Sequence, residues 1–383
     1  MSGPPVVDYT ATSARPGWDT LPAALQHALA VALGTEIAEA GRPVGSGFTG
    51  GFAAPVTLAD VRELFVKAAP DTLHAYGAYQ REAEIVPQLP DAVRVPAIVA
   101  TATAELPATT TQAPAIVATT AAEPPATTTQ APAIVATTAA EPPATAQVPA
   151  PARESAPAAS TTKWFAVASE RIPGRMPGSP WTVADFAAVT SACETMADAL
   201  TPTPLAGLDV LVADIASGGW PIDLPDQIRS GDRPLPPGFQ PWLPDVLHEL
   251  TDLIALYPEA LAGDTAMHSD LRPDNLLIDP AGTCWTVDWN WLSLGPRWFD
   301  WSCLLPIAQY EGIDTQAAIT SSPLTADVPA DHLDCGAAVI AAYMLHDLDT
   351  PPPAGCTPEL RRHQRLYAWT FLDWLAMRRG WSS

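Results

Sequence analysis

The sequence predicts an α+β protein with two lobes, a small N-terminal lobe that contains strands and a larger C-terminal lobe that is mainly helical. Three observations support this prediction. Short apolar segments surround a glycine-rich run within the first 170 residues, apolar residues at helical spacing dominate beyond residue 171, and an Ala/Pro/Thr-rich repeat interrupts the first part. A chain of 383 residues is long enough to bury two such cores.

Composition narrows the classes of partner. The chain has 42 Asp and Glu against 19 Lys and Arg, a net charge of −23, and so acidic a surface disfavours nucleic acids and anionic membranes as partners. The charge could favour a cationic substrate or could reflect a general solubility bias. The five cysteines are scattered without metal-ligand spacing, and no apolar run approaches the roughly 20 residues of a membrane span. We therefore expect a cytoplasmic protein with reduced thiols, and no obligate protein partner is evident.

The first 40 residues predict an arm followed by a helix. Residues 1–20 are punctuated by Pro and Gly, which is typical of a flexible arm. Residues 21–40 carry Leu25, Leu29, Leu33 and Ile37 at a four-residue step, which predicts a helix.

A glycine-rich run follows at residues 45–51, Gly-Ser-Gly-Phe-Thr-Gly-Gly, and fits the pattern Gly-x-Gly-x-x-Gly. Glycines let backbone amides approach phosphate oxygens closely, so Gly45, Gly47 and Gly50 are candidate nucleotide contacts. This signal alone is weak. It gains weight because residues 62–67 read as a strand that ends in Lys67. No helix opens directly after the glycines, which disfavours a Rossmann fold, and no Walker-type loop is present.

The next segment, residues 72–89, has the apolar spacing of a helix and contains Arg81-Glu82-Ala83-Glu84. Either glutamate could pair with Lys67, or be a solvated helix charge. If Lys67 is buried, at least one of the two glutamates is expected to pair with it, because an unpaired buried ammonium group is costly.

Three near-copies of one motif occupy residues 95–112, 113–130 and 131–147. The repeat is too short and too rich in Ala, Thr and Pro for a packed solenoid. With 43 prolines, the chain has about twice the usual share of roughly 5%, which also indicates that part of it is not packed. We predict that residues 106–162 are a disordered insertion. Order resumes with a strand at 163–170, and helices are predicted at 181–200, 242–257, 331–348 and 360–379.

The polar residues that could carry chemistry cluster in two short segments of the C-terminal part. His268-Ser269-Asp270-Leu271-Arg272-Pro273-Asp274-Asn275 precedes a predicted β-hairpin, which ends at Thr286-Val287-Asp288-Trp289. The hairpin should bring Asp288 back beside Asn275. Carboxylate and amide oxygens are ligands that Mg²⁺ prefers, and a further carboxylate can orient a hydroxyl nucleophile. The pattern therefore favours Mg-nucleotide chemistry.

The spacing His-x-Asp-x-x-x-x-Asn, the hairpin, the Asp-Trp pair and the later segment Gly295 to Asp300 together resemble the aminoglycoside phosphotransferase family. The resemblance implies a bilobal protein-kinase-like fold with a small antiparallel-sheet N-lobe and a helical C-lobe. It also implies ATP and Mg²⁺ as cofactors and transfer of the γ-phosphate to a hydroxyl of a small molecule. The N-lobe would comprise residues 21–105 and 163–170, and the C-lobe residues 171–383 with the acceptor site.

The resemblance further assigns roles to individual residues. Lys67 would hold phosphates and pair with Glu82 rather than Glu84. The remaining assignments are an adenine contact for Ser169, Glu170 and Ile172, a catalytic base for Asp270, metal ligands for Asn275 and Asp288, and structural support from His268 and Asp300. Arg272 could stabilise charge on the γ-phosphoryl group or simply pair with Asp274 or Asp279.

Other functions stay open at this point. A protein kinase is disfavoured because no Phe-Gly follows Asp288 and no Ala-Pro-Glu closes an activation segment. A non-catalytic nucleotide-binding protein would be expected to lack one of Lys67, Asp270, Asn275 or Asp288. The acceptor could equally be an amino alcohol, a macrolide or another metabolite, and the repeats could bind a partner.

Overall fold

A computed structural model of the protein describes residues 3–107, 161–353 and 355–381. Met1–Ala104 and Lys163–Ser383 form one compact unit that contains both lobes. Glu105–Thr162 forms a separate unit, of which only residues 105–107 and 161–162 are described. The disorder predicted for 106–162 therefore falls almost entirely outside the described residues.

The N-lobe is built on a five-stranded sheet in the order β1-β2-β3-β5-β4. The β1–β2, β2–β3 and β3–β5 pairs are antiparallel, as expected. In the central strand, Lys67 lies opposite Ala53 on one side and Val167 on the other. The strands are β1 (Ile37–Ala40), β2 (Phe52–Leu58), β3 (Glu63–Pro70), β4 (Ile98–Pro107) and β5 (Thr161–Glu170).

Two helices accompany this sheet, α1 (Ala23–Leu33) and α2 (Ala75–Ile85). α1 packs its buried leucines Leu25, Leu29 and Leu33 against the sheet, and burial of each contributes about 1.5–3 kcal/mol. The helix predicted to run to residue 40 ends at Gly34, which adopts the left-handed conformation with φ 73°. Ile37 therefore begins strand β1 instead of continuing the helix, and this part of the prediction is wrong.

The C-lobe is mainly helical, as predicted. Its helices are α3 (Val183–Ala199), α4 (Leu211–Asp214), α5 (Leu224–Ser230), α6 (Leu247–Ile254), α7 (Tyr257–Ala260), α8 (Phe299–Ser302), α9 (Leu305–Tyr310), α10 (Thr315–Ser321), α11 (Ala330–His346) and α12 (Glu359–Arg379). The expected N-cap of α3 is present, since Thr182 Oγ1 accepts a hydrogen bond from the Asp185 amide at 3.1 Å. The helix predicted over 242–257 is instead a 3-10 turn at Leu243–Val246 followed by α6 and α7.

Short strands fix the loops between these helices. A three-stranded sheet has the order β6-β10-β7, and β8 pairs with β9 as the predicted hairpin. The strands are β6 (Asp209–Val210), β7 (Thr265–Met267), β8 (Leu276–Ile278), β9 (Cys284–Thr286) and β10 (Ser293–Gly295). Residues 268–275 lie between β7 and β8, so both ends of this loop are anchored in sheets.

The N-terminal arm differs from the flexible arm expected. Thr12 and Ser13 are buried, and the Thr12 hydroxyl donates to the carbonyls of Gly45 and Gly47 at 2.9 and 2.7 Å. On its other side, the Thr357 amide donates to the Thr12 carbonyl at 3.2 Å. Residues 8–15, hereafter the N-terminal segment, are held between the glycine-rich loop (residues 45–51) and the start of α12.

Among the described residues, no helix is long and apolar enough to cross a membrane. The five cysteines all lie among these residues, and none is paired with another.

Candidate active site

The cleft between the lobes contains a buried lysine held by two carboxylates. Lys67 on β3 donates to Glu82 Oε1 and Oε2 of α2 at 2.9 and 2.7 Å. It also reaches Asp288, beyond the β8–β9 hairpin, with 2.9 Å between Nζ and Oδ1. Burial lowers the pKa of Lys67, but the charges of Asp288 and Glu82 outweigh it and raise the pKa above its ordinary value. Lys67 is therefore a permanent cation that joins the two lobes. Glu84, the other candidate partner of Lys67, is exposed.

One carboxylate, that of Asp300, holds the start of the 268–275 loop by hydrogen bonds to its backbone. Asp300, which is 6% exposed, accepts hydrogen bonds from the backbone amides of His268 at 2.6 Å and Ser269 at 2.9 Å. Ser269 has φ 64°, a left-handed conformation that is unfavourable for a residue with a side chain. The two hydrogen bonds hold the backbone in this conformation, so Asp300 lies where a support for the loop is needed.

His268 is fully buried and connects the loop to the strand end before Asp288. Its Nε2 donates to the Val287 carbonyl at 2.9 Å, which fixes the tautomer, because a carbonyl can only accept. Burial lowers the pKa of His268, so the ring is neutral at physiological pH. The Val287 amide in turn donates to the Asn275 carbonyl at 3.0 Å. A neutral ring fixed in this way is suited to a structural role.

Asp270 is the half-buried carboxylate at the centre of the loop. Its side chain pairs with Arg272, and Asn275 Nδ2 donates to the backbone carbonyl of Asp270 at 2.8 Å. Burial raises the pKa of Asp270 to about 6, against the opposing charge of Arg272. Arg272 also binds Asp274 through Nε at 3.0 Å and Nη2 at 3.2 Å. Of the two alternatives for Arg272, the structure contains the ion pair with Asp274, while Asp279 binds its own turn and Trp285.

Asn275 and Asp288 both line the cleft cavity and have oxygens to offer a metal. Asn275 uses Nδ2 for Asp270, and Asp288 uses Oδ1 for Lys67 and Asn290. Asn275 Oδ1 and Asp288 Oδ2 have no hydrogen-bond partner among the described residues. Burial raises the pKa of Asp288, but Lys67 outweighs this effect and holds the pKa below its ordinary value, so the carboxylate is ionised. This hard oxygen donor set fits Mg²⁺, which commonly takes only one or two protein ligands.

The cavity itself has a volume of about 330 Å³ and extends from the glycine-rich loop to the end of β5. Ser169, Glu170 and Ile172 line it, as does Gly47. The Glu170 amide already donates to the Ala97 carbonyl at 2.9 Å.

Gly45 and Gly50 do not line the cavity. A Cβ atom at Gly45 would lie 1.7 Å from the Thr10 carbonyl oxygen, and one at Gly50 would lie 2.8 Å from the Cα atom of Gly355. These two glycines permit close approach of neighbouring segments, and their contact with phosphate stays a prediction.

Three polar residues at the site were not predicted from the sequence. Asn290 donates to Asp288 at 3.0 Å, and its position two residues after the metal-ligand candidate could have indicated it. Tyr79 and Arg15 line the cavity beside Lys67. Arg15 is the only Lys or Arg before Arg42, but nothing in the sequence indicates that the arm would carry it into the cleft.

Comparison with known proteins gives the fold. No protein-family model matches the sequence, and no curated protein matches it. A solved structure of a thermostable mutant of aminoglycoside phosphotransferase APH(4)-Ia, in ternary complex with AMP-PNP and hygromycin B, is 12% identical with a TM-score of 0.51, covering 93% of this chain and 98% of that chain. An apo form gives 12% identity and a TM-score of 0.50 over 93% and 99%. An aminoglycoside-3'-phosphotransferase of type VIII is 17% identical over 91% and 100%, with a TM-score of 0.41.

The match to APH(4)-Ia extends over nearly the whole of both chains, so it includes both lobes and the cleft between them. At this level of identity the likeness concerns the fold. The resemblance predicted from the motifs is confirmed at that level: the chain has the bilobal protein-kinase-like fold of the aminoglycoside phosphotransferases.

Proposed function

We propose that the protein is an ATP- and Mg²⁺-dependent phosphotransferase that transfers the γ-phosphate to a hydroxyl group of a small molecule. The observation that carries the proposal is the contact of Lys67 with both Glu82 and Asp288. This contact brings a cation that could bind phosphate and a carboxylate that could bind a metal to the same cavity. Phosphoryl transfer depends mainly on such positioning and on charge neutralisation.

The nucleotide would lie along the cavity with its base at the end of β5. The Ile172 amide makes no backbone hydrogen bond within the described part of the chain, so it is available to the adenine edge. The Glu170 amide is not available, because it is bound to Ala97. Lys67 and Gly47, at the other end, would face the phosphates, with Asn275 Oδ1 and Asp288 Oδ2 offered to the metal. Mg²⁺, when bound, supplies neutralisation of charge on the phosphate oxygens.

Asp270 would orient the acceptor hydroxyl and accept its proton. A pKa of about 6 leaves the carboxylate mostly ionised at neutral pH and still basic enough to help the transfer. Arg272 would hold the Asp270 carboxylate through their ion pair. The hygromycin B in the complex of APH(4)-Ia supports a small-molecule acceptor, without identifying it for this chain.

The proposal is tested by measuring ADP formation with Mg-ATP across aminoglycosides, macrolides, amino alcohols and sugars. We expect turnover that requires one class of acceptor and stops when EDTA removes the metal. Nucleotide binding is measured in parallel by calorimetry. ATP binding with no turnover on any acceptor would favour a non-catalytic nucleotide-binding protein, and absence of ATP binding would refute the assignment of the cleft.

The Lys67–Glu82 pair gives a sharper test with a control two residues away. In Glu82→Gln, Lys67 loses one of its two carboxylates and is no longer held toward the phosphates. We expect kcat/KM for ATP to fall about 10- to 100-fold, since a charged hydrogen bond contributes about 1.5–3 kcal/mol. Glu84→Gln removes the same charge from the exposed face of α2 and should leave kcat/KM unchanged. Equal effects in the two variants would argue against the role of Glu82.

A further inference from the structure

The N-terminal segment brings a guanidinium group into the nucleotide cavity. Arg15 lines the cavity together with Lys67, Tyr79 and Asp288. Its Nη1 donates to the Gly51 carbonyl at 2.8 Å, to Thr49 Oγ1 at 3.1 Å and to Tyr79 Oη at 3.2 Å. Its Nη2 donates to the Ser46 carbonyl at 2.8 Å. Arg15 is thus in direct contact with the glycine-rich loop at the phosphate end of the cavity.

The charge of Arg15 is not neutralised within the described part of the chain. All its hydrogen-bond partners are neutral oxygens, and its Nε is buried without a partner. Lys67, by contrast, contacts two carboxylates. A partly buried guanidinium with neutral partners is a favourable site for an anion, because charge-assisted hydrogen bonds are about twice as strong as neutral ones.

The arm that carries Arg15 is fixed over several residues. Ser13 Oγ donates to the carbonyls of Gly47 and Thr49 at 2.7 and 3.0 Å, and Tyr9 Oη lies 3.0 Å from His363 Nδ1 on α12. Arg15 therefore reaches the cavity from a segment bound to both lobes, and its position does not depend on its own side chain alone.

Gly47 of the glycine-rich loop lies against this side chain. Gly47 has φ 82°, and a Cβ atom there would lie 2.9 Å from Arg15 Nη2. A residue other than glycine at this position would meet the guanidinium group.

We propose that Arg15 is a phosphate-contacting residue of the nucleotide site, supplied to the glycine-rich loop by the N-terminal segment. The inference rests on the proposed function to the extent that the cleft binds ATP. Its ligand is the polyphosphate of a nucleotide, whose oxygens would take guanidinium hydrogen bonds now made to loop carbonyls. The fork of the guanidinium suits phosphate oxygens.

The test is a series of dissociation constants measured by calorimetry for ATP, ADP, AMP and adenosine, without acceptor. We compare the wild-type protein with Arg15→Gln, Arg15→Lys and the control Arg62→Gln, in which an exposed arginine of the same lobe loses its charge. We expect Arg15→Gln to weaken ATP binding about 10- to 100-fold, with a smaller loss for AMP and none for adenosine. Arg15→Lys should retain part of the affinity, and Arg62→Gln should resemble the wild-type protein.

The series separates a phosphate contact from a structural role. An equal loss for adenosine and ATP would mean that Arg15 only braces the loop, and unchanged ATP binding in Arg15→Gln would exclude the contact. Either result overturns the inference. Thermal unfolding of each variant shows whether the fold is intact, and Arg15→Lys keeps the charge if Arg15→Gln is unstable. Tight ATP binding that depends on Arg15, without turnover on any acceptor, would support this inference while favouring a non-catalytic nucleotide-binding protein over the phosphotransferase. Absence of nucleotide binding by the wild-type protein would refute both.

Discussion

Asp270→Asn is expected to lower kcat by about 10²- to 10⁴-fold, the usual contribution of a general base, with little change in the dissociation constant for ATP. The asparagine keeps the size of the side chain and an oxygen for Arg272, but it cannot accept a proton. Asp270 does not line the nucleotide cavity, whereas Asn275 and Asp288 do. The loss should therefore appear in kcat, measured by acceptor-dependent ADP formation, and not in nucleotide binding.

The matched control for Asp270→Asn is Asp252→Asn, which removes the same charge from an exposed position of α6. It should leave kcat and the dissociation constant for ATP unchanged. If Asp270→Asn retained wild-type kcat with a correctly folded 268–275 loop, Asp270 would not be the base. If ATP binding were lost together with kcat, the substitution would have disturbed the loop that also carries Asn275.

The pH dependence follows from the raised pKa of Asp270. A base must be unprotonated, so kcat should be constant at neutral pH and fall about tenfold per unit below pH 6. The residual activity of Asp270→Asn should lack this fall. Between pH 3.8 and about 6 the folded state binds the extra proton more tightly than the unfolded state. Protonation of Asp270 therefore adds to the stability of the fold as the pH falls through this range. The expected loss of activity in this range is therefore not caused by unfolding through Asp270.

The proximity of Asp270, Asn275 and Asp288 could be predicted from the sequence, because these residues are close along the chain or are brought together by the hairpin. Asn275 and Asp270 are five residues apart, and the β8–β9 turn returns the chain to Asp288. The choice of Glu82 over Glu84 agrees with the contact seen between Lys67 and Glu82. Glu84 is exposed, because residues two apart on a helix do not share a face. For Arg272 the sequence offered Asp274 or Asp279 as partners. The structure contains the pair with Asp274 and a second pair, with Asp270, that was not predicted.

The ordered conformation of the N-terminal segment could not be predicted from sequence patterns. Its order comes from hydrogen bonds between side chains of Thr12, Ser13 and Arg15 and backbone carbonyls of the glycine-rich loop. Such bonds need no apolar periodicity, so composition alone indicated a flexible arm. The opposite error occurred at Ile37, where a four-residue spacing continued beyond Gly34 although the helix had ended there.

Asp300→Ala is expected to destabilise the protein by about 2–6 kcal/mol and to abolish measurable activity. The substitution leaves the buried amides of His268 and Ser269 without acceptors, at a cost of about 1–3 kcal/mol each. It also removes the hydrogen bonds that hold the backbone at Ser269 in its left-handed conformation. Burial raises the pKa of Asp300, and the hydrogen bonds from the two backbone amides partly oppose this effect. The free energy of unfolding in urea and kcat on the identified acceptor measure the two effects.

Asp314→Ala provides the comparison for Asp300→Ala, because Asp314 also accepts a backbone amide, from Ala317 at 3.1 Å, but at the exposed N-terminus of α10. Loss of this cap should cost about 1 kcal/mol and leave kcat intact. Asp300→Asn keeps one acceptor oxygen and should lie between the wild-type protein and Asp300→Ala in both measurements. If Asp300→Ala lost no more stability than Asp314→Ala and kept its kcat, the 268–275 loop would hold its conformation without the carboxylate. Asp300 would then have no part in positioning Asp270.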